Sequence, residues 1–166
     1  MNDLPVFSFT RDFDAPVSLV WKVWTEAEYL AKWYGPNLET VIHKFDLQPD
    51  GEWLNEMKFP NGSNFQKVIF KEIVPEQKLV WHHCSADENW NVTANPMMPN
   101  WPRILLTTVT FAEKEGKTSV TLSQVPVDAT PGEIECFAQM KEGMKGGWGA
   151  GYSLIDELLE EMKIGQ

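Results

Sequence analysis

A series of turn signals through the middle of the chain, followed by one long amphipathic segment, limits the folds open to it. Pro49-Asp50-Gly51, Pro60-Asn61-Gly62-Ser63, Pro75-Glu76-Gln77 and Glu113-Lys114-Glu115-Gly116 separate apolar-rich stretches of strand length. Asn-Gly readily takes positive φ, so the second signal predicts a hairpin. The stretches are Leu38–Leu47, Glu52–Phe59, Asn64–Val74, Lys78–Cys84, Ile104–Ala112 and Lys117–Val125. Strands joined by turns this short run antiparallel. In the last pair, Val109 and Phe111 share an inner face with Val120 and Leu122.

One more strand precedes them. Val6–Phe13 places Phe7, Phe9 and Phe13 on one face at period two, with Arg11 among them. Asp14-Ala15-Pro16 then opens a helix with Pro16 in its first turn, where a missing N–H does no harm. Val17, Val20, Trp21 and Trp24 form its apolar stripe. Thr25 and Glu28 have capping-box spacing and predict a second short helix. Leu30 and Trp33 face inward, and Gly35-Pro36 ends it.

After the strands, Thr130, Pro131 and Glu133 make another capping box, opening a long helix. Its stripe is Ile134, Phe137, Met144, Trp148, Ile155, Leu158 and Met162. Gly143, Gly146, Gly147, Gly149 and Gly151 crowd its middle, and each costs about 1 kcal/mol of helix propensity against alanine. A close approach to the sheet, or flexing to admit a ligand, would account for them. Asp156, Glu157, Glu160 and Glu161 stand near the negative end of its dipole, where acids are unfavourable.

An antiparallel sheet needs its apolar face covered, and the long helix carries a matching stripe. The expected fold is α+β: a curved antiparallel sheet of six to seven strands around a C-terminal helix, with two short helices after the first strand. It forms one domain over residues 1–166, a length that needs no disulfide or metal staple. A cavity can remain between sheet and helix.

Composition narrows the partners. With 14 Lys and Arg against 24 Asp and Glu, the formal charge is −10, which argues against nucleic acid and anionic membranes. The two cysteines, Cys84 and Cys136, make no disulfide framework or C-x-x-C site. No signal peptide or membrane-spanning run is present, so a soluble cytoplasmic protein is expected. No G-x-S-x-G, H-E-x-x-H or P-loop occurs.

The candidate site follows from strand parity. Trp53, Trp81, His83, Val109, Phe111, Met144 and Trp148 are the cavity candidates. His83 shares parity with Leu79 and Trp81, whereas His82 and Cys84 share the opposite face. Two ligands are too few for zinc, so no metal is expected, and no cofactor either. Glu52, Glu56 and Glu72 are strand carboxylates, each a solvated outer-face residue or, if buried, a general base. The stretch Ser85–Arg103 is long and aperiodic, with Trp90, Met97, Met98 and Trp101 as its large apolar residues. These four are the lid candidates.

Several stretches resemble a known family: Arg11-Asp12-Phe13-Asp14-Ala15-Pro16, Val20-Trp21-Lys22-Val23-Trp24-Thr25 and Leu30-Ala31-Lys32-Trp33-Tyr34-Gly35-Pro36. So do Asp46-Leu47-Gln48-Pro49-Asp50-Gly51-Glu52-Trp53, Glu72-Ile73-Val74-Pro75-Glu76-Gln77-Lys78-Leu79-Val80-Trp81, Gly147-Trp148 and Leu154-Ile155-Asp156-Glu157-Leu158. Together they resemble the family named for the activator of the heat-shock-protein-90 ATPase. It belongs to the START-like, helix-grip superfamily of polyketide cyclases and the birch-pollen allergen. The resemblance implies a helix-grip fold and three alternatives for function. The first is binding of a small apolar molecule in the sheet–helix cavity. The second is a co-chaperone-like module with a chaperone partner in stress response, and the third is a cyclase or hydrolase. With no catalytic constellation in the residues, binding ranks first and an enzyme last.

Overall fold

Phe7, Phe9, Arg11 and Phe13 share one face of the first strand, β1 (Phe7–Phe13), and the rings at its two ends are buried. The computed structural model describes residues 4–34, 39–60, 62–95 and 98–164. Two helices follow, α1 (Val17–Thr25) and α2 (Ala27–Trp33). Then come β2 (Glu39–Phe45), β3 (Glu52–Phe59), β4 (Gly62–Val74), β5 (Lys78–Ala86), β6 (Ile104–Lys114) and β7 (Lys117–Pro126). The last element is α3 (Pro131–Ile164). All seven strands form one antiparallel sheet in the order β1-β7-β6-β5-β4-β3-β2. The sheet curves around α3, giving the expected α+β helix-grip fold. From β2 to β7 every pairing is between sequence neighbours. The exception is β1 with β7, from Phe7 opposite Gln124 to Phe13 opposite Thr118.

The turns explain the meander. Gly51 sits against the β2–β3 connection, where an added Cβ would lie 2.1 Å from the Asp46 carbonyl oxygen, so only glycine fits. Glu115 and Gly116 both take positive φ, 54° and 79°, as a two-residue type I′ hairpin requires. The β3–β4 hairpin closes on the pair Phe59–Gly62; Asn61 itself lies outside the described residues, as do Gly35 and Pro36.

The helix starts divide in outcome. Thr130 and Glu133 form the expected box: the Thr130 N–H donates to Glu133 Oε1 at 2.9 Å, and the Glu133 N–H to Thr130 Oγ1 at 3.1 Å. Thr130→Ala is therefore expected to cost about 1 kcal/mol in urea unfolding; an unchanged midpoint would show the box adds nothing.

The Thr25–Glu28 box does not form. Thr25 is the last residue of α1, and its buried hydroxyl donates back to the Trp21 carbonyl at 2.7 Å. A threonine inside a helix satisfies its hydroxyl on the preceding turn, and that geometry removes it from capping. Glu26 holds the N-cap position of α2 without a side-chain cap bond. At α1, Pro16 is the N-cap, and the Val17 N–H donates to Glu113 Oε1 from the β6–β7 hairpin at 2.7 Å. The buried side of α1 also takes in Leu19 and Val23, beyond the expected stripe.

The core joins the inner sheet face to the helices. Val109 and Leu122 pair across β6–β7, as do Phe111 and Val120, and all four are buried. Trp24 and Trp33 meet edge to face at 4.8 Å between centroids. Tyr152 of α3 packs against Phe9, Phe13 and Trp24. Of the α3 glycines, Gly151 has the closest neighbours: an added Cβ would lie 3.3 Å from Trp33 Cε3 and 3.4 Å from Trp33 O. The close approach is thus to α2 rather than to a strand. An ion pair from Arg11 to Asp156 ties β1 to the second half of α3, and Lys163 pairs with Glu160 at 3.2 Å. Two of the four C-terminal acids are so compensated.

Candidate functional site

Strand alternation and register build the site. Gln66 lies opposite Ser85, and Val68 opposite His83, so Gln66, His83 and Ser85 share the inner face. Beside them on that face, Asn55 of β3 lies opposite Gln66. Above this patch runs the glycine-rich middle of α3, whose small residues leave space. The result is a cavity of about 320 Å³. Its aromatic and apolar wall includes Trp33, Tyr34, Met57, Phe59, Trp101, Leu105, Met144 and Trp148. The polar lining residues are Gln66, His83, Ser85, Asn95 and Gln124. None of the described lining residues is Asp, Glu, Lys or Arg.

One polar cluster is tightly knit. The Tyr34 hydroxyl donates to Gln66 Oε1 at 2.8 Å, and His83 Nε2 lies 3.0 Å from the same oxygen. The Tyr34 hydroxyl and His83 Nε2 are 3.3 Å apart. From beneath, the Trp81 indole N–H donates to His83 Nδ1 at 3.4 Å. Burial disfavours the charged ring and pulls the His83 pKa down to about 4. Burial also pushes the Tyr34 hydroxyl well above its ordinary range. Both are neutral at pH 7 and act as hydrogen-bonding groups rather than charges. Asn55 is fully buried, and neither of its amide atoms has a hydrogen-bond partner among the described residues. The inner face here holds more hydrogen-bonding capacity than the protein itself uses.

The candidates separate into wall, core and outer face. His83, Met144, Trp148 and Trp101 line the cavity. Trp53, Trp81, Val109 and Phe111 belong to the buried core. Trp81 still reaches the site through its bond to His83. The first part of the 85–103 segment is braced. The Asp87 carboxylate accepts the N–H groups of Asn89 and Asn91, each at 2.9 Å, and Ala86 bridges to Val92. Trp90 packs on the outer face, with ring centroids 5.3 Å from Phe65 and 5.4 Å from His43. Met98 is half-buried in the loop and is not part of the cavity wall. Met97 lies outside the described residues. Trp101 packs on Phe137 of α3, 5.6 Å between centroids.

The strand carboxylates face outward. Glu56 accepts hydrogen bonds from Ser63 and from His43, the latter at 2.8 Å, and these hold its carboxyl below the ordinary range, Ser63 most. Glu52 pairs with Lys44 and Lys67, and Glu72 with Lys78. Among the described residues no group of three His, Cys, Asp or Glu converges on a metal position, and no helix is long and apolar enough to cross a membrane.

Sequence reasoning overlooked Tyr34 and Gln66. Gln66 carried a readable signal: it shares parity with the buried Val68 and Phe70, so a polar residue stood on an apolar face. Tyr34 carried none, because its position depends on how α2 ends over the sheet.

Comparison with known proteins places the fold. A protein from Nitrosomonas europaea is 25% identical and superposes with a TM-score of 0.74, covering 99% of each chain. One from Mycobacterium smegmatis, at 22% identity, gives 0.77 over 95% of this chain and 96% of its own. Another from Arthrobacter aurescens, at 24%, gives 0.78 over 94% and 86%. No curated protein matches the sequence. The family profile described as "Activator of Hsp90 ATPase homolog 1-like protein" matches residues 14–160. With most of the chain accounted for by that match, this protein belongs to the family of activator of Hsp90 ATPase homolog 1-like proteins.

Proposed function

We propose that the chain binds a small hydrophobic or aromatic molecule in the cavity between the sheet and α3. The carrying observation is the cavity itself: about 320 Å³, walled by Trp33, Tyr34, Trp101 and Trp148, with a few polar groups clustered on one side. Apolar walls with a small set of placed polar groups are the usual design of a small-molecule site. No described lining residue is Asp, Glu, Lys or Arg, which favours binding over catalysis.

The test uses the tryptophans in the wall. Titration with neutral aromatic compounds such as naphthalene derivatives should change the indole fluorescence saturably. Gly147→Leu should raise the midpoint at least tenfold. Gly147 lines the cavity from an exposed position, and nothing stands within 4 Å of its added Cβ, so leucine fits there without displacing a neighbour and narrows the opening. The same substitution should not lower Tm, because Leu gains about 1 kcal/mol over Gly in a helix. A flat response in the parent protein, or equal midpoints in both, would defeat the proposal.

The family match favours a second reading, a co-chaperone-like module that stimulates a heat-shock-protein-90-type ATPase. The net charge of −10 suits a basic partner face. Unchanged ATPase turnover on addition of the protein would remove it.

A further inference from the structure

The hydrogen bonds around His83 fix which polar group the cavity offers. Trp81 Nε1 is a donor only, so His83 Nδ1 must accept and carries no proton. In a neutral imidazole the proton then sits on Nε2, which donates to Gln66 at 3.0 Å. Gln66 must therefore turn its carbonyl oxygen, not its amide nitrogen, toward His83. The Tyr34 hydroxyl donates to that same oxygen at 2.8 Å. With the oxygen taken from two sides, the amide nitrogen is the group Gln66 has left for the cavity it lines.

Charge sets the second limit. The cavity has no Lys or Arg among its described lining residues, and its one histidine is neutral. A carboxylate brought here would lose hydration without gaining a countercharge, which weakens its binding. The nearest walls are flat rings, Tyr34 and Trp148 among them, 6.1 Å apart and edge to face.

We propose that the ligand is an uncharged, flat molecule presenting a carbonyl or ether oxygen to the amide nitrogen of Gln66. This rests on the cavity reading and narrows it from apolar molecules in general to neutral hydrogen-bond acceptors. It assigns Gln66 as the specificity residue, with Trp81, His83 and Tyr34 holding its orientation.

Three probes of similar shape test it at pH 7 by calorimetry: 2-acetylnaphthalene, 2-ethylnaphthalene and 2-naphthoate. The ketone should bind at least tenfold tighter than the hydrocarbon and than the anion. In Gln66→Leu the ratio of ketone to hydrocarbon affinity should fall to near one. Gln66→Glu keeps an acceptor for Tyr34 and His83 but has no amide donor, and should lose the ketone preference as well; it serves if the leucine variant does not fold. Hydrocarbon binding with no ketone preference, tighter binding of naphthoate, or a preference surviving both substitutions would overturn this inference while leaving the cavity reading standing. If none of the three probes binds, the cavity reading falls and this inference with it.

Discussion

Trp33→Ala is expected to lower unfolding stability by about 3–5 kcal/mol, a large share of the 5–15 kcal/mol typical of a domain. Trp33 is 1% exposed and touches Trp24, Tyr34 and Trp148. Its indole N–H donates to the Val23 carbonyl at 2.7 Å, joining α2 to α1. Gly151 of α3 rests directly on the ring, so truncation leaves a void between three helices that rigid backbone cannot close. Urea unfolding of parent and variant measures the loss. A change below about 1 kcal/mol would mean the helices collapse onto the gap.

The second large effect is a pH dependence from His83. Its folded pKa, about 4, lies below its unfolded value of 6.5, so between those values the unfolded chain binds the extra proton. Stability from this group is fully present above pH 6.5 and is lost as pH falls toward 4. At about 1.4 kcal/mol per pH unit the loss is on the order of 3 kcal/mol, less whatever solvation water in the cavity supplies. His83→Gln removes the titration and leaves the rest of the chain's groups in place. Its stability should decline less steeply than the parent's over this window, as read from urea midpoints at a series of pH values. Parallel curves would show that His83 protonates without cost.

How much of this was legible in the sequence depended on range. The strands were bounded by turn residues acting over three or four positions, and β3 (Glu52–Phe59) matches its expected limits at both ends. Thr130 and Glu133 are equally local, and their box is present. Thr25 had the same spacing, yet one further residue of α1 placed its hydroxyl on Trp21. The spacing could not weigh continuation of one helix against initiation of the next. The site was less legible. Parity put His83 on the inner face, but whether an inner residue lies in the wall or under it is set by depth along the strand. Trp81 and His83 are two positions apart and fall on either side of that line. The 85–103 segment wraps to both faces of the sheet, placing Trp101 in the wall and Trp90 against Phe65 outside. No periodicity in the segment distinguishes those two destinations.

The pairing of β1 with β7 has a kinetic consequence. Phe7 meets Gln124, so the two partners are separated by most of the chain. The hairpins β2–β3, β3–β4, β4–β5 and β6–β7 close over short loops and β5–β6 over the 87–103 segment, whereas β1 must wait for β7 and then bear the entropy of closing a far longer loop. Until it docks, Phe7, Phe9 and Phe13 have no sheet to lie against, and Tyr152 lacks two of its ring neighbours. The nascent chain therefore carries the three phenylalanines of β1 without their sheet partner until β7 has been made.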